Sequence, residues 1–216
     1  MGNRVVPGRC MTKSNDFRIA ISGTSGVGKS TLAKALAEKL AVSVIEESFD
    51  EFIDRSDMEN KTLQKIAQEL FDIFKHKARL EDEHRAFVSD RSPLDLLHLW
   101  CHYKLDMHAT RDTNKVFFDH CLSRAAGYDY IIFPPWGSLP IEEKETGRAG
   151  VVRNTNMFTQ CKHHASTLGF AHIAVDKARI IEIPRGITDQ QARLAFVIET
   201  MAKRKAILAG RTAIVP

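Results

Sequence analysis

Phe17-Arg18-Ile19-Ala20-Ile21-Ser22-Gly23-Thr24-Ser25-Gly26-Val27-Gly28-Lys29-Ser30-Thr31-Leu32-Ala33-Lys34-Ala35-Leu36-Ala37-Glu38-Lys39-Leu40 is the stretch on which the fold turns. Its first six residues read as a short buried strand, and from Ser30 onward the apolar residues recur at helical spacing. Between them, Gly23 to Ser30 has the form Gly-x-x-x-x-Gly-Lys-Ser. The glycines let the backbone curl so that successive N–H groups point inward at phosphate oxygens, where a side chain would block the approach. Lys29 supplies a point charge for the outer phosphates, Ser30 a hydroxyl for magnesium, and the helix start its positive dipole end. A strand before and a helix after are the context that separates this motif from an ordinary glycine-rich turn. The expectation is that Gly23, Thr24, Ser25, Gly26, Val27, Gly28, Lys29, Ser30 and Thr31 bind a nucleoside triphosphate.

Outward from this loop the chain alternates. Strands are predicted at 42–45, 85–89, 128–133 and 179–183, and helices at 61–79, 94–105, 113–126, 156–168 and 188–205. Pro93 suits the first turn of the third helix, and Pro134-Pro135 ends the fourth strand because proline cannot donate to a ladder. Such alternation calls for a parallel sheet covered on both faces, with ligands at the carboxyl ends of its strands. The fold class expected is α/β, a five-stranded parallel sheet with helices on both faces. Residues 1–16 read as a flexible N-terminal tail and 17–216 as a single domain. Residues 134–154 hold three prolines, three glycines, Arg148 and Arg153. That is long for a plain connection and marks a candidate lid.

A phosphate loop alone does not separate kinases from GTPases or motor ATPases. Asn114-Lys115-Val116-Phe117 lacks the aspartate of a guanine-reading Asn-Lys-x-Asp, and Tyr130-Ile131-Ile132-Phe133-Pro134 lacks a terminal Asp-Glu. The strand that ends in acid is Ala86-Phe87-Val88-Ser89-Asp90, followed by Arg91-Ser92-Pro93. This order resembles the Asp-Arg or Glu-Arg-Ser signature of thymidylate kinases and deoxynucleoside kinases, within the P-loop NTPase fold. Their relatives include a viral branch that phosphorylates 5-hydroxymethyluracil in DNA. The resemblance implies that Asp90 lies near metal and acceptor, with Ser30 as the other metal ligand, and that Arg91 holds phosphate or acceptor. Val44-Ile45-Glu46-Glu47-Ser48 resembles the second-strand end of deoxynucleoside kinases, which makes Glu47, with Glu46 beside it, the proton acceptor. Arg148 and Arg153 would be the lid arginines that close over the triphosphate. The activity implied is an ATP- and Mg2+-dependent kinase acting on a nucleotide-like acceptor: a nucleoside, its monophosphate, or a modified pyrimidine in DNA. The rival is a P-loop ATPase or switch module that drives a partner. A homodimer is compatible with this reading.

Composition adds limits. With 31 Lys and Arg against 27 Asp and Glu, the 216-residue chain carries a formal charge of +4, a small excess that suits a polyanionic ligand. Cysteines 10, 101, 121 and 161 form no Cys-x-x-Cys pair, and reduced thiols in a cytoplasm are the simple reading. No run of about eighteen apolar residues occurs, so a membrane span is not expected. Several residues also have plain structural readings. Asp90 could cap the helix that begins near Pro93, and Cys161-Lys162-His163-His164 on one helix turn points in different directions and makes no metal site. Trp100 is expected in the core, Trp136 in an exposed turn. Lys203-Arg204-Lys205 should end the last helix, complementing its dipole, and Pro184-Arg185-Gly186 should border the ATP base.

Overall fold

The computed structural model describes residues 17–46, 49–53, 60–137 and 155–212. Glu47, Arg148, Arg153 and the expected tail lie outside these residues.

The order is β1 (Arg18–Ile21), α1 (Lys29–Leu40), β2 (Ser43–Ile45), a turn of helix α2 (Phe49–Phe52), α3 (Leu63–Asp82), β3 (Phe87–Asp90), α4 (Pro93–His102), a further turn α5 (Leu105–His108), α6 (Arg111–Ala125), β4 (Tyr130–Phe133), α7 (Met157–Ala174), a 3-10 turn (Lys177–Arg179), β5 (Ile180–Glu182) and α8 (Gln190–Thr212). The five strands pair in parallel in the order β2-β3-β1-β4-β5. The expected α/β fold is the one found.

Side chains alternate across a strand, so β1 feeds two cores. Ile19 and Ile21 join Leu32 and Leu36 of α1 and Val197 and Met201 of α8 on one face. Ala20 faces the other core, with Ile66, Leu70 and Ile73 of α3, Leu94, Leu97 and Trp100 of α4, Phe117 of α6 and Ala171 of α7. The helix after β1 therefore covers one face, whereas the helices after its neighbours β3 and β4 cover the other. Chain connections diverge on both sides of β1, which is the topological condition for a ligand crevice at its carboxyl end.

Two expectations are corrected in detail. The helix expected over 94–105 stops at His102, because Lys104 takes a left-handed φ of 57° and starts the separate turn α5. The last helix continues to Thr212, so Lys203-Arg204-Lys205 is not its end. Arg204 instead donates to the carbonyls of Ala178 (2.7 Å) and Ile180 (2.6 Å), Lys203 pairs with Glu199 at 2.7 Å, and Lys205 lies over the Phe17 ring. Arg204 thus ties α8 to the edge strand β5. Trp100 is buried as expected, stacked on Phe117 with its Nε1 donating to Asn114 at 2.7 Å. Cys101, Cys121 and Cys161 are free thiols, and among the described residues no helix is long and apolar enough to cross a membrane.

Candidate phosphate-binding site

The cradle is gripped from both neighbouring strands. Arg91 N–H donates to Ile21 O on one side (2.9 Å), and Ser22 N–H to Ile132 O on the other (2.9 Å). Gly23, Gly26 and Gly28 have φ of 118°, 82° and 86°, conformations that an L side chain rarely adopts. At Gly28 space is restricted as well: an added Cβ would collide with Gln190 Nε2 and stand 3.4 Å from Arg193. Gly28 is also the N-cap of α1, which has neither a side-chain cap nor an acid in its first turn. The start of such a helix suits an anion. Ser30 and Thr31 are exposed at this end, and buried Lys29 donates its Nζ to Thr24 O at 2.7 Å.

Asp90 ends β3 directly opposite Ile21 of β1. Its Oδ1 is buried with no hydrogen-bond donor among the described residues, while its carbonyl accepts from Lys77 Nζ at 2.8 Å. The capping alternative for Asp90 fails. Ser92 caps α4 through Leu94 N–H (3.2 Å), and Asp95 closes the capping box through Ser92 N–H (3.0 Å). An orphaned buried carboxylate oxygen costs free energy unless something else meets it. That oxygen and the Ser30 hydroxyl are hard oxygen donors of the kind magnesium takes.

Arg91 stands in the left-handed region at φ 71° although it is not glycine, a conformation costing of order 1–3 kcal/mol unless its surroundings impose it. Here they do. Besides its N–H bond to β1, its guanidinium reaches Asp95 (3.4 Å) and Gly23 O (3.5 Å) and lies over the Phe49 ring at 5.3 Å. Glu46 is exposed and pairs with Lys34 at 2.8 Å.

Several members of the site escaped the sequence reading. Asp95, fully buried, also accepts from Gly23 N–H (3.2 Å) and His163 Nε2 (3.1 Å). Burial alone would raise the Asp95 carboxyl, but the His163 hydrogen bond and the charges of Arg91, His163 and Lys29 outweigh it and hold it well below the usual carboxylate range. His163 stacks on His98 at 4.0 Å and 6°, and His98 meets Ser166 Oγ at 2.8 Å. Burial, together with the neighbouring His163 and His102, pushes His98 down to about 3. Arg193, fully buried on α8, donates to Val27 O (2.7 Å) and Ile187 O (2.8 Å) and so ties the cradle to the loop after β5. The run at 161–164 diverges as expected. Cys161 and Lys162 are exposed, His163 meets Asp95, and His164 stands edge-on to Phe133. Trp136 is half-buried rather than in an open turn, with Arg185 over its ring at 5.7 Å.

No curated protein sequence matches this chain. Among solved structures, a deoxyadenosine kinase from M. mycoides with bound dATP superposes with a TM-score of 0.62 at 13% identity, over 86% of this chain and 99% of that one. A thymidylate kinase from Candida albicans gives 0.52 at 16% identity, over 87% and 91%. At these identities the likeness is one of fold, and the fold is that of P-loop kinases. The family model described as an AAA domain matches residues 18–182, and the chain belongs to that family.

Proposed function

We propose that the protein is an ATP- and Mg2+-dependent kinase that transfers the γ-phosphoryl group to a nucleotide-like acceptor. The observation that carries this reading is the orphaned Asp90 Oδ1, buried one strand from a glycine cradle whose helix N-terminus has no side-chain cap. Ser30 Oγ and Asp90 are the residues that would hold magnesium. The ion, when bound, supplies positive charge to phosphate oxygens.

The chain's own part is positioning and charge. The backbone N–H groups of the cradle and the start of α1 receive the phosphates, and Lys29 exchanges the Thr24 carbonyl for a phosphate oxygen. Arg91, constrained on three sides, meets acceptor or phosphate. Glu46 is engaged by Lys34, so Glu47 is the carboxylate we assign to accept a proton from an attacking hydroxyl, with Arg148 and Arg153 over the triphosphate. The acceptor classes are the hydroxyl of a nucleoside, a hydroxymethylated pyrimidine in DNA, and a nucleoside monophosphate. That the M. mycoides neighbour has bound dATP supports a nucleotide as the ligand of this fold. The test is Asp90→Asn: transfer from ATP should fall by at least about 100-fold with the thermal transition unchanged, as for loss of a transition-state contact. Wild-type turnover in that variant would remove Asp90 from the mechanism.

A further inference from the structure

His163 lies outside the phosphate loop and outside the Asp90-Arg91-Ser92 signature, yet it ends on the one carboxylate that holds both together. Asp95 has no exposed surface, and four donors meet it: Gly23 N–H, Arg91, Ser92 N–H and His163 Nε2. Three of them, Gly23 N–H, Arg91 and His163 Nε2, converge on Oδ1, and Ser92 N–H meets Oδ2. A carboxylate cannot donate, which makes Nε2 the protonated nitrogen of the His163 ring.

Two of these donors belong to the machinery. Gly23 opens the cradle, and its carbonyl faces the guanidinium of Arg91 at 3.5 Å. The Asp95 carboxylate thus sets the direction of the first peptide of the cradle and the side chain of Arg91 at once. His163 sets the carboxylate. Its own ring is fixed by the parallel stack on His98, which in turn meets Ser166 one turn further along α7. The chain of contacts runs from α7 through α4 to the phosphate loop. A purely structural role would need only bulk at this position, whereas a donor aimed at a carboxylate that already has three others is a directional device.

We propose that His163 is a positioning residue for triphosphate binding and transfer, acting through Asp95 on Gly23 and Arg91. The proposal rests on the phosphate-site reading above. Two variants separate the hydrogen bond from the packing. His163→Phe keeps a ring to stack on His98 and removes the donor; His163→Gln keeps an N–H donor at similar reach and removes the ring.

The measurements are the dissociation constant of a non-hydrolysable Mg-triphosphate analogue, kcat and KM for transfer, and the thermal transition. His163→Phe should weaken analogue binding and lower kcat/KM by about 10- to 100-fold in all, the scale of one charge-assisted hydrogen bond. His163→Gln should stay within about threefold of wild type in each, because it restores that bond. Wild-type behaviour in His163→Phe, or a greater loss in His163→Gln than in His163→Phe, overturns the proposal. If the wild-type protein bound the analogue but moved no phosphoryl group, the kinase reading would fail on its own, and the dissociation constants would still decide the role of His163.

Discussion

Replacing Gly28 by alanine should damage stability and ligand binding together, and the structure separates the two effects. Gly28 sits at φ 86° and ψ 24°. An alanine there pays the left-handed penalty of about 1–2 kcal/mol, and its Cβ would collide with Gln190 Nε2. The end of a glutamine side chain can swing away, so the clash adds little to the backbone cost. For a chain of this size about 1–2 kcal/mol corresponds to roughly 2–8 °C in Tm. Because Gly28 is the N-cap of the helix that receives the phosphates, the added methyl also disturbs the N–H groups there, and the rise in Tm on adding Mg-ATP should shrink. Thermal unfolding with and without nucleotide measures both quantities. Gly169→Ala is the control: Gly169 lies within α7, where a Cβ meets nothing within 4 Å. Removing a helix-interior glycine should stabilise by up to about 1 kcal/mol and leave the nucleotide-induced rise intact. An unchanged Tm and an unchanged nucleotide effect in Gly28→Ala would refute the requirement for a left-handed glycine.

Other outcomes follow from the buried groups. Tyr128 donates to the fully buried Glu81 at 2.6 Å, alongside Arg124 at 2.7 Å and Ser89 at 3.2 Å. Tyr128→Phe should therefore cost about 2 kcal/mol in urea unfolding, as for a hydrogen bond to a charged group, with a loss below about 0.5 kcal/mol counting against that network. Stability should also fall in acid. His98 is held neutral with its folded value near 3 against an ordinary 6.5, so the unfolded chain takes up a proton that the folded one refuses as pH drops below about 6.5. Asp95 is depressed below its ordinary 3.8, so its contribution is present above that value and is lost at still lower pH. Urea midpoints measured from pH 7 to 4 should decline, and His98→Leu should flatten that decline; an equal slope in both proteins would place the proton uptake elsewhere.

The cradle was legible because its chemistry is local. Glycines, lysine and serine at fixed spacing between a strand and a helix leave few conformations open, and the Asp90-Arg91 pair follows from the same strand-end logic. Apolar periodicity likewise carried the five strands and the long helices. Asp95 and His163 were invisible because they are 68 residues apart and meet only through the order in which β1, β3 and β4 pair. Arg193 is 166 residues from the carbonyl it holds, and an arginine on an amphipathic helix reads as solvated charge. His163 was hidden by its neighbours as well: within Cys161-Lys162-His163-His164 the question that suggested itself was metal binding, and the answer to that question says nothing about a single histidine reaching a buried carboxylate. The plain alternative for Asp90, a cap on α4, also turns on residues further along the chain. Asp90 precedes Pro93 by three residues, but the reciprocal Ser92–Asp95 pair satisfies the helix start and leaves Asp90 to face the site.

The most direct measurement of the central claim offers γ-labelled ATP and magnesium to the protein with separate lanes of deoxynucleosides, nucleoside monophosphates, unmodified DNA and hydroxymethylated DNA. The account predicts label on at least one nucleotide-like acceptor, abolished by Lys29→Ala in a protein that keeps its fold. Label appearing only as inorganic phosphate, with every acceptor lane empty, would contradict it and point to an ATPase module that drives a partner.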